Sequence, residues 1–249
     1  MEREEGLAWL VLNRPGQRNA LDLEMVGALH GALAELEQDR GLRCLLVRGE
    51  GEHFAAGADI AELKRRDALD SLAGINSRLF RRLELFPVPT IAVVQGMALG
   101  GGCELALACD LRVVAESAKL GQPEVSLGII PAAGATQRLP RLIGLGRARE
   151  LVLTGRLVGA DEAVAIGLAN GVAPDANLHE AARALALEIA KQGAMATRLA
   201  KAALNGAFPG IEQGLAFESQ AQALLFESPE KHERMQRFLD RKKPRGEAK

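Results

Sequence analysis

Residues 87–124, PVPTIAVVQGMALGGGCELALACDLRVVAESAKLGQPE, pass from an apolar run through three glycines into a second apolar run that contains a single carboxylate. Thr90 to Val94 is short, apolar and β-branched, the pattern of a strand buried on both faces. Glycines 100–102 then open Glu104 to Asp110, a stretch suited to a short buried helix. A strand that runs through glycines into a helix leaves main-chain N–H groups free at the helix start, where they hold negative charge. Glu104 stands one turn inside that end, and Glu124 follows Gly121-Gln122-Pro123. Between them Leu111 to Val114 reads as another strand.

Upstream, Gly6 to Leu12 reads as a first strand, closed by the turn signal Asn13-Arg14-Pro15-Gly16. Asn19 is the expected N-cap of a helix from Leu21 to Glu37, whose Leu21, Met25, Leu29, Leu33 and Leu36 keep helical spacing. Leu42 to Val47 is a second strand, and Asp59 an expected N-cap for Ile60 to Lys64. Leu69 to Phe86 is expected as one helix, with Leu69, Leu72, Leu79, Leu83 and Phe86 on its buried stripe. Downstream, residues 126–135 form a loop of small residues, and Gly144 and Gly146 punctuate short helices. Composition shifts at Gly171 to Pro174; helices are then expected at Leu178–Lys191, Met195–Ala203, Ile211–Phe226 and Pro229–Asp240. Strand–helix pairing followed by helices alone gives an α/β body over residues 1–174 and a helical appendage over 175–249.

A formal net charge of −1 exerts no global pull on nucleic acid or acidic membranes. Aromatic residues at 3%, with no tyrosine, leave no stacking platform for single-stranded nucleic acid. Cys44, Cys103 and Cys109 are odd in number and sit in apolar runs, as reduced core thiols of a cytoplasmic protein do. The charged start Met1 to Glu5 carries no signal-peptide core, and no apolar run is long enough to span a bilayer.

Ala56 to Ala58 and Gly100 to Gly102 are two small-residue turns after strands, each able to offer an N–H to one developing oxyanion. Glu104 and Glu124 flank the same region and can act as a general acid/base pair. No G-x-S-x-G elbow, P-loop or G-x-G-x-x-G is present, and His30, His53, His179 and His232 fall in no metal spacing. Backbone donors with carboxylates suit proton transfer beside a thioester carbonyl. Plainer readings stand beside this one. Glu104 also fits a carboxylate favoured by the helix dipole, Glu124 a solvated loop charge, and the glycines a tight turn. Lys64-Arg65-Arg66 with Arg78, Arg81 and Arg82 reads as a solvated helix face.

The same residues resemble the enoyl-CoA hydratase/isomerase (crotonase) superfamily. The resemblance rests on Phe54 to Ile60, Ala98 to Ala106, Gly121 to Glu124 and Thr136-Gln137-Arg138-Leu139, with Leu12 to Pro15, Asn19 to Leu21 and Phe238 to Pro244. It implies a spiral of ββα units with C-terminal helices that build homotrimers, commonly paired into hexamers. It implies hydration of a 2-enoyl-CoA in fatty-acid β-oxidation chemistry, with Ala58 and Gly101 as the oxyanion hole, Glu104 and Glu124 as catalytic carboxylates and the Ala132 N–H orienting water. No metal and no cofactor beyond the coenzyme A of the substrate is called for. That moiety would lie along Arg18, Ala20, Ala56, Ala58, Asp59 and Ile60, with Gly100, Gly101 and Pro123 also at its site, and Lys242 or Lys243 reaching a neighbour's phosphates.

Two departures from the family pattern stand out: Ala61 where a lysine is usual, and Ala132-Ala133-Gly134-Ala135 where Gly-Ala-Gly-Gly is usual. The alternatives within the family are an enoyl-CoA isomerase and a methylglutaconyl-CoA-type hydratase, which Pro87 to Ile91 and Thr136 to Arg141 resemble. Outside catalysis, an RNA-binding member would use Lys64 to Arg82; neutral charge and few aromatics count against it.

Overall fold

The computed structural model describes residues 1–4, 6–205, 223, 226, 227 and 229–241. In chain order the elements are β1 (Glu2–Glu4), β2 (Leu7–Leu12), α1 (Leu23–Glu37), β3 (Cys44–Gly49), α2 (Ile60–Arg65), α3 (Ala68–Ala73), α4 (Ile75–Glu84), β4 (Thr90–Val94), β5 (Met97–Leu99) and α5 (Gly101–Ala108). They continue with β6 (Leu111–Ala115), β7 (Lys119–Gly121), α6 (Ala135–Ile143), α7 (Leu145–Thr154), β8 (Leu157–Gly159), α8 (Ala160–Ala165), β9 (Gly171–Ala173), α9 (Leu178–Ala190) and α10 (Ala194–Asn205). A further helix runs over Pro229–Arg241.

The main sheet has the order β1-β2-β3-β4-β6-β9. Only β1 runs against its neighbour there; β2, β3, β4, β6 and β9 are parallel. Parallel strands with both faces covered favour apolar residues at successive positions, which is why Cys44–Val47 and Ile91–Val94 read as continuous runs. Alternate residues divide between two cores. Leu10, Leu45, Val47 and Ala92 join α1, α4 and α5 on one face. Leu7, Cys44, Leu46 and Ile91 meet Leu178, Ala182 and Ala186 of α9 on the other. Each fully buried leucine contributes roughly 1.5–3 kcal/mol.

After Val94 the chain leaves this sheet and enters a smaller one of order β5-β7-β8, with β5 parallel to β7. That step leads into the glycines that open α5, where the candidate site lies.

Several expectations are corrected. The charged start forms β1, an edge strand paired with β2. Helix α1 begins at Leu23, capped by Asp22, whose side chain accepts from the Met25 N–H at 2.8 Å. Asn19 is instead fully buried in a left-handed conformation, and its amide donates to the carbonyls of Glu50 and His53. The single helix expected over Leu69–Phe86 is two, because Gly74 turns left-handed (φ 64°) between α3 and α4. Leu79, Leu83 and Phe86 are buried, but Leu69 and Leu72 are 74% and 48% exposed and leave the stripe. Helix α5 starts at Gly101 rather than Glu104 and ends at Ala108, and Gly146 lies inside α7 while Gly144 caps it. Asp59 caps α2 as expected, accepting from Ala61 and Glu62 N–H. All three cysteines are buried free thiols. Most of the helix expected at 211–226, together with Lys242 and Lys243, lies outside the described residues.

Candidate active site

Two segments far apart in sequence meet at the start of α5. Residues 54–59 run beside β5 and bend at Gly57 (φ 109°), with Ala55 N–H donating to the Met97 carbonyl and Leu99 N–H to the Ala55 carbonyl, both at 3.0 Å. Their other edge pairs with residues 18–21. Ala56 N–H donates to Arg18 O at 2.9 Å, Leu21 N–H to Gly57 O at 2.8 Å, and Asp59 N–H to Leu21 O at 3.0 Å. With Gly57 and Asp59 both bonded to Leu21, the N–H of Ala58 faces the other way. There a Cβ on Gly101 would stand 3.5 Å from the Ala58 nitrogen. Gly101 opens α5, so its N–H has no partner inside the helix. Neither N–H donates to an acceptor among the described residues.

The neighbouring glycines are required for close approach. Gly100 has φ 50°, and a Cβ on it would meet Glu124 Oε1 at 3.1 Å. A Cβ on Gly102 would collide with the Ala55 carbonyl oxygen at 2.0 Å.

Glu104, on the first turn of α5, is 3% exposed. Its Oε1 accepts from the N–H of Ala133 at 2.8 Å and of Ala135 at 3.1 Å. Burial pushes its pKa up from the ordinary 4.5; the N–H groups of Ala135, Ala133 and Gly134, and the charge of Arg138, oppose the rise. Glu124 comes from a 3-10 turn at Pro123–Leu127 and is 9% exposed. The Gln122 amide, its nitrogen turned toward this carboxylate, donates to Oε1 at 2.9 Å and Oε2 at 3.2 Å. Cys103 lies within the field of both carboxylates; burial chiefly, then Glu124 and Glu104, push its thiol up to about 12, so it stays neutral.

The segments expected to hold coenzyme A are brought together. Arg18 and Ala20 lie alongside Ala56, Ala58 and Asp59, and Ile60 follows at the start of α2. Arg14 braces this ridge through ion pairs to Asp22 at 3.0 Å and Asp59 at 3.6 Å. Ile60 and Ala58 also pack against an apolar cluster of Leu63, Ile129, Phe226 and Met235. Ala132 is half-buried just ahead of the turn that holds Glu104, and Pro123 just ahead of Glu124. Among the described residues no group of three or more His, Cys, Asp or Glu is placed to hold a metal ion.

The basic run is not the evenly solvated face expected of it. Arg65 and Arg78 are exposed, but Arg66, Arg81 and Arg82 are partly buried in ion pairs with Glu62, Glu84 and Glu37 at 3.7, 2.8 and 2.8 Å. Three site residues were missed from sequence. Gln122 and Arg138 lie inside quoted motifs, but their partners become visible only in the fold. Asn76, on the first turn of α4, has a buried Oδ1 with no hydrogen-bond partner among the described residues, and its Nδ2 lies 3.8 Å from the Cβ position of Gly101. Nothing in the sequence marked it.

No helix among the described residues is long and apolar enough to cross a membrane. The family model described as enoyl-CoA hydratase/isomerase matches residues 2–249. The short-chain-enoyl-CoA hydratase of Clostridium acetobutylicum is 39% identical, over 99% of this chain and 96% of its own. The crotonyl-CoA hydratase of Syntrophomonas wolfei is 41% identical, over 98% of this chain and 95% of its own. Among solved structures, an enoyl-CoA hydratase/isomerase from Xanthobacter autotrophicus superposes with a TM-score of 0.88 at 32% identity, covering 94% of this chain and 90% of the other. A fold shared with solved members and a match that runs almost from end to end show that this chain belongs to the enoyl-CoA hydratase/isomerase family of the crotonase superfamily.

Proposed function

We propose that this protein is a 2-enoyl-CoA hydratase, adding water syn across the 2,3 double bond of a short acyl chain to give the 3-hydroxyacyl-CoA. One observation carries the reading. The buried Glu104 carboxylate is fastened by the Ala133 and Ala135 N–H groups one turn behind Gly101, which lies against the Ala58 amide, and neither of these two amides donates to an acceptor among the described residues. The thioester oxygen would sit between those two amides, each contributing about 3 kcal/mol to the enolate-like transition state. Polarised in this way, C3 becomes electrophilic. Glu104 takes a proton from the water whose oxygen bonds to C3, the π electrons move to the thioester oxygen, and Glu124 supplies the proton that C2 receives. The pair gains one proton and loses one, so a transfer between them restores the starting state. The half-buried Ala132 N–H orients the water in this reading.

Coenzyme A follows the ridge of Arg18, Ala20, Ala56, Asp59 and Ile60. The adjacency of these segments supports that path. The active form is a homotrimer or a hexamer, in which the helices of 175–249 meet another copy. Met195, Leu199 and Leu204, all exposed on α10, support such packing. A cytoplasmic setting is supported by the three buried free thiols.

The test is loss of the conjugated-thioester absorbance of crotonyl-CoA. The parent is expected to turn over, and Glu104→Gln and Glu124→Gln each to lower kcat by about a hundredfold or more. Neither substitution slowing the reaction tenfold would remove both carboxylates from the mechanism. Migration of a 3-enoyl double bond without hydration would make the protein an isomerase instead.

A further inference from the structure

Arg138 is 4% exposed and faces the short turn whose N–H groups hold Glu104. Its Nη1 donates to the Ala133 carbonyl at 2.8 Å. The guanidinium presses so closely on the turn that a Cβ on Gly134 would stand 1.9 Å from Nη1. The next peptide N–H, that of Gly134, faces Glu104. In a trans peptide the carbonyl and the N–H point in opposite directions, so the 133–134 peptide lies between the two side chains, its oxygen toward Arg138 and its hydrogen toward Glu104. The guanidinium is itself held by a forked pair to Glu84 on α4, Nη2 to Oε2 at 2.9 Å and Nε to Oε1 at 3.3 Å. Arg81 supports the same Glu84 carboxylate from its own helix at 2.8 Å.

We propose that Arg138, locked by Glu84, is the positioning residue that aims the N–H groups of residues 133–135 at Glu104 and keeps positive charge behind that carboxylate. The proposal rests on the reading of Glu104 as the base. A purely structural fastener between α6 and α4 would need the Glu84 fork but not the bond to the Ala133 carbonyl or the contact with Gly134. Among the described residues, the charged and titratable groups near Glu104 are Arg138 from α6 and Cys103 from its own helix, a thiol that also lies in the field of Glu124 from the 3-10 turn. Glu84 and Arg81 of α4 stand behind Arg138.

The experiment is the kcat–pH profile of crotonyl-CoA hydration for the parent, Arg138→Gln, Arg138→Lys, Glu84→Gln and Glu104→Gln. Positive charge behind Glu104 favours its ionised form, so Arg138→Gln should move the acidic limb up by about one pH unit. It should also lower kcat roughly a hundredfold with KM changed less than about threefold. Arg138→Lys keeps the charge without the fork, so its limb stays with the parent while kcat falls about tenfold. Glu84→Gln leaves Arg138 uncompensated and should move the limb down. A folded Arg138→Gln, judged by circular dichroism, whose limb matches the parent overturns the proposal. If that variant does not fold, Glu84→Gln decides, and a limb that stays or moves up overturns it. Parental turnover in Glu104→Gln would instead overturn the assignment of the base, a different result from an inactive Glu104→Gln with an unaltered Arg138→Gln profile.

Discussion

Gly101 and Ala58 approach so closely that a Cβ on Gly101 would stand 3.5 Å from the Ala58 nitrogen, an ordinary contact distance. Alanine therefore fits at Gly101, and its methyl would stand in contact with the Ala58 amide. Gly101→Ala is expected to keep the parental melting temperature, since alanine favours a helix over glycine by about 1 kcal/mol. Its kcat/KM for crotonyl-CoA should fall about a hundredfold or more. One position on, the Cβ would stand 2.0 Å from a main-chain oxygen, so Gly102→Ala should cost about 3 kcal/mol of stability. Thermal melts read beside turnover separate the two. A Gly101→Ala variant with parental turnover would show that the thioester oxygen sits elsewhere.

Glu104 trades stability for reactivity. Its pKa in the folded chain is raised by burial, so between the unfolded value near 4.5 and the folded one the native state binds the extra proton. Stability therefore falls as pH rises through that window and stays lowered above it. Glu104→Gln does not titrate, and its Oε1 can still accept from Ala133 and Ala135 N–H. The inactive variant is expected to melt above the parent at neutral pH, with the difference closing below about pH 4.5. Equal melting temperatures at pH 7 would mean that the N–H donors and Arg138 fully offset burial.

What could be read in advance divides along physical lines. Leu45, Val47 and Ile91 stood out because burial on both faces demands unbroken apolar runs, and the Met25–Leu36 stripe because one helix face packs. Strands β5, β7 and β8 have three residues each, too few to carry a period. Leu69 and Leu72 matched a helical stripe, yet Gly74 rotates their helix out of line. Asn19 has the chemistry of a cap, but its partners lie at Glu50 and His53. Glu104 and Glu124 could be singled out as carboxylates near glycines. The turns at 56–58 and 100–102 could be matched as donors to one oxyanion from their small residues, and resemblance to a family narrowed them to Ala58 and Gly101.

Gln122 tests how far Glu124 depends on its local donor. It is fully buried, and its amide reaches both Glu124 oxygens. A hydrogen bond to a charged group contributes about 1.5–3 kcal/mol, so an apolar residue of similar size should disturb the carboxylate more than the packing. Gln122→Leu is expected to lower kcat about tenfold while leaving the urea midpoint near that of the parent. A large loss of stability with unchanged turnover would make Gln122 a packing residue.

Arg112 secures the other end of the catalytic helix. It is 2% exposed, and its Nη1 donates to the Cys109 carbonyl at 2.8 Å and to Ala106 O at 3.4 Å, while Nε donates to Leu168 O at 2.7 Å. Ala106 lies in the last turn of α5 and Cys109 caps it, so a cation here satisfies orphan carbonyls and complements the helix dipole. No carboxylate pairs with this guanidinium among the described residues, and burial pulls its pKa down. Arg112→Met keeps much of the volume but strands three buried acceptors, at about 1–3 kcal/mol each before relaxation and water entry. A net loss of about 3 kcal/mol is expected, seen as a fall in Tm of roughly 6–12 °C for a chain of this size. Because Gly101 and Glu104 ride on the same helix, kcat measured well below the new Tm should also fall, by about threefold to tenfold. Arg112→Lys, which can satisfy some of the carbonyls, should recover part of both. A Tm within 2 °C of the parent for Arg112→Met would show that water satisfies these carbonyls as well as the guanidinium does.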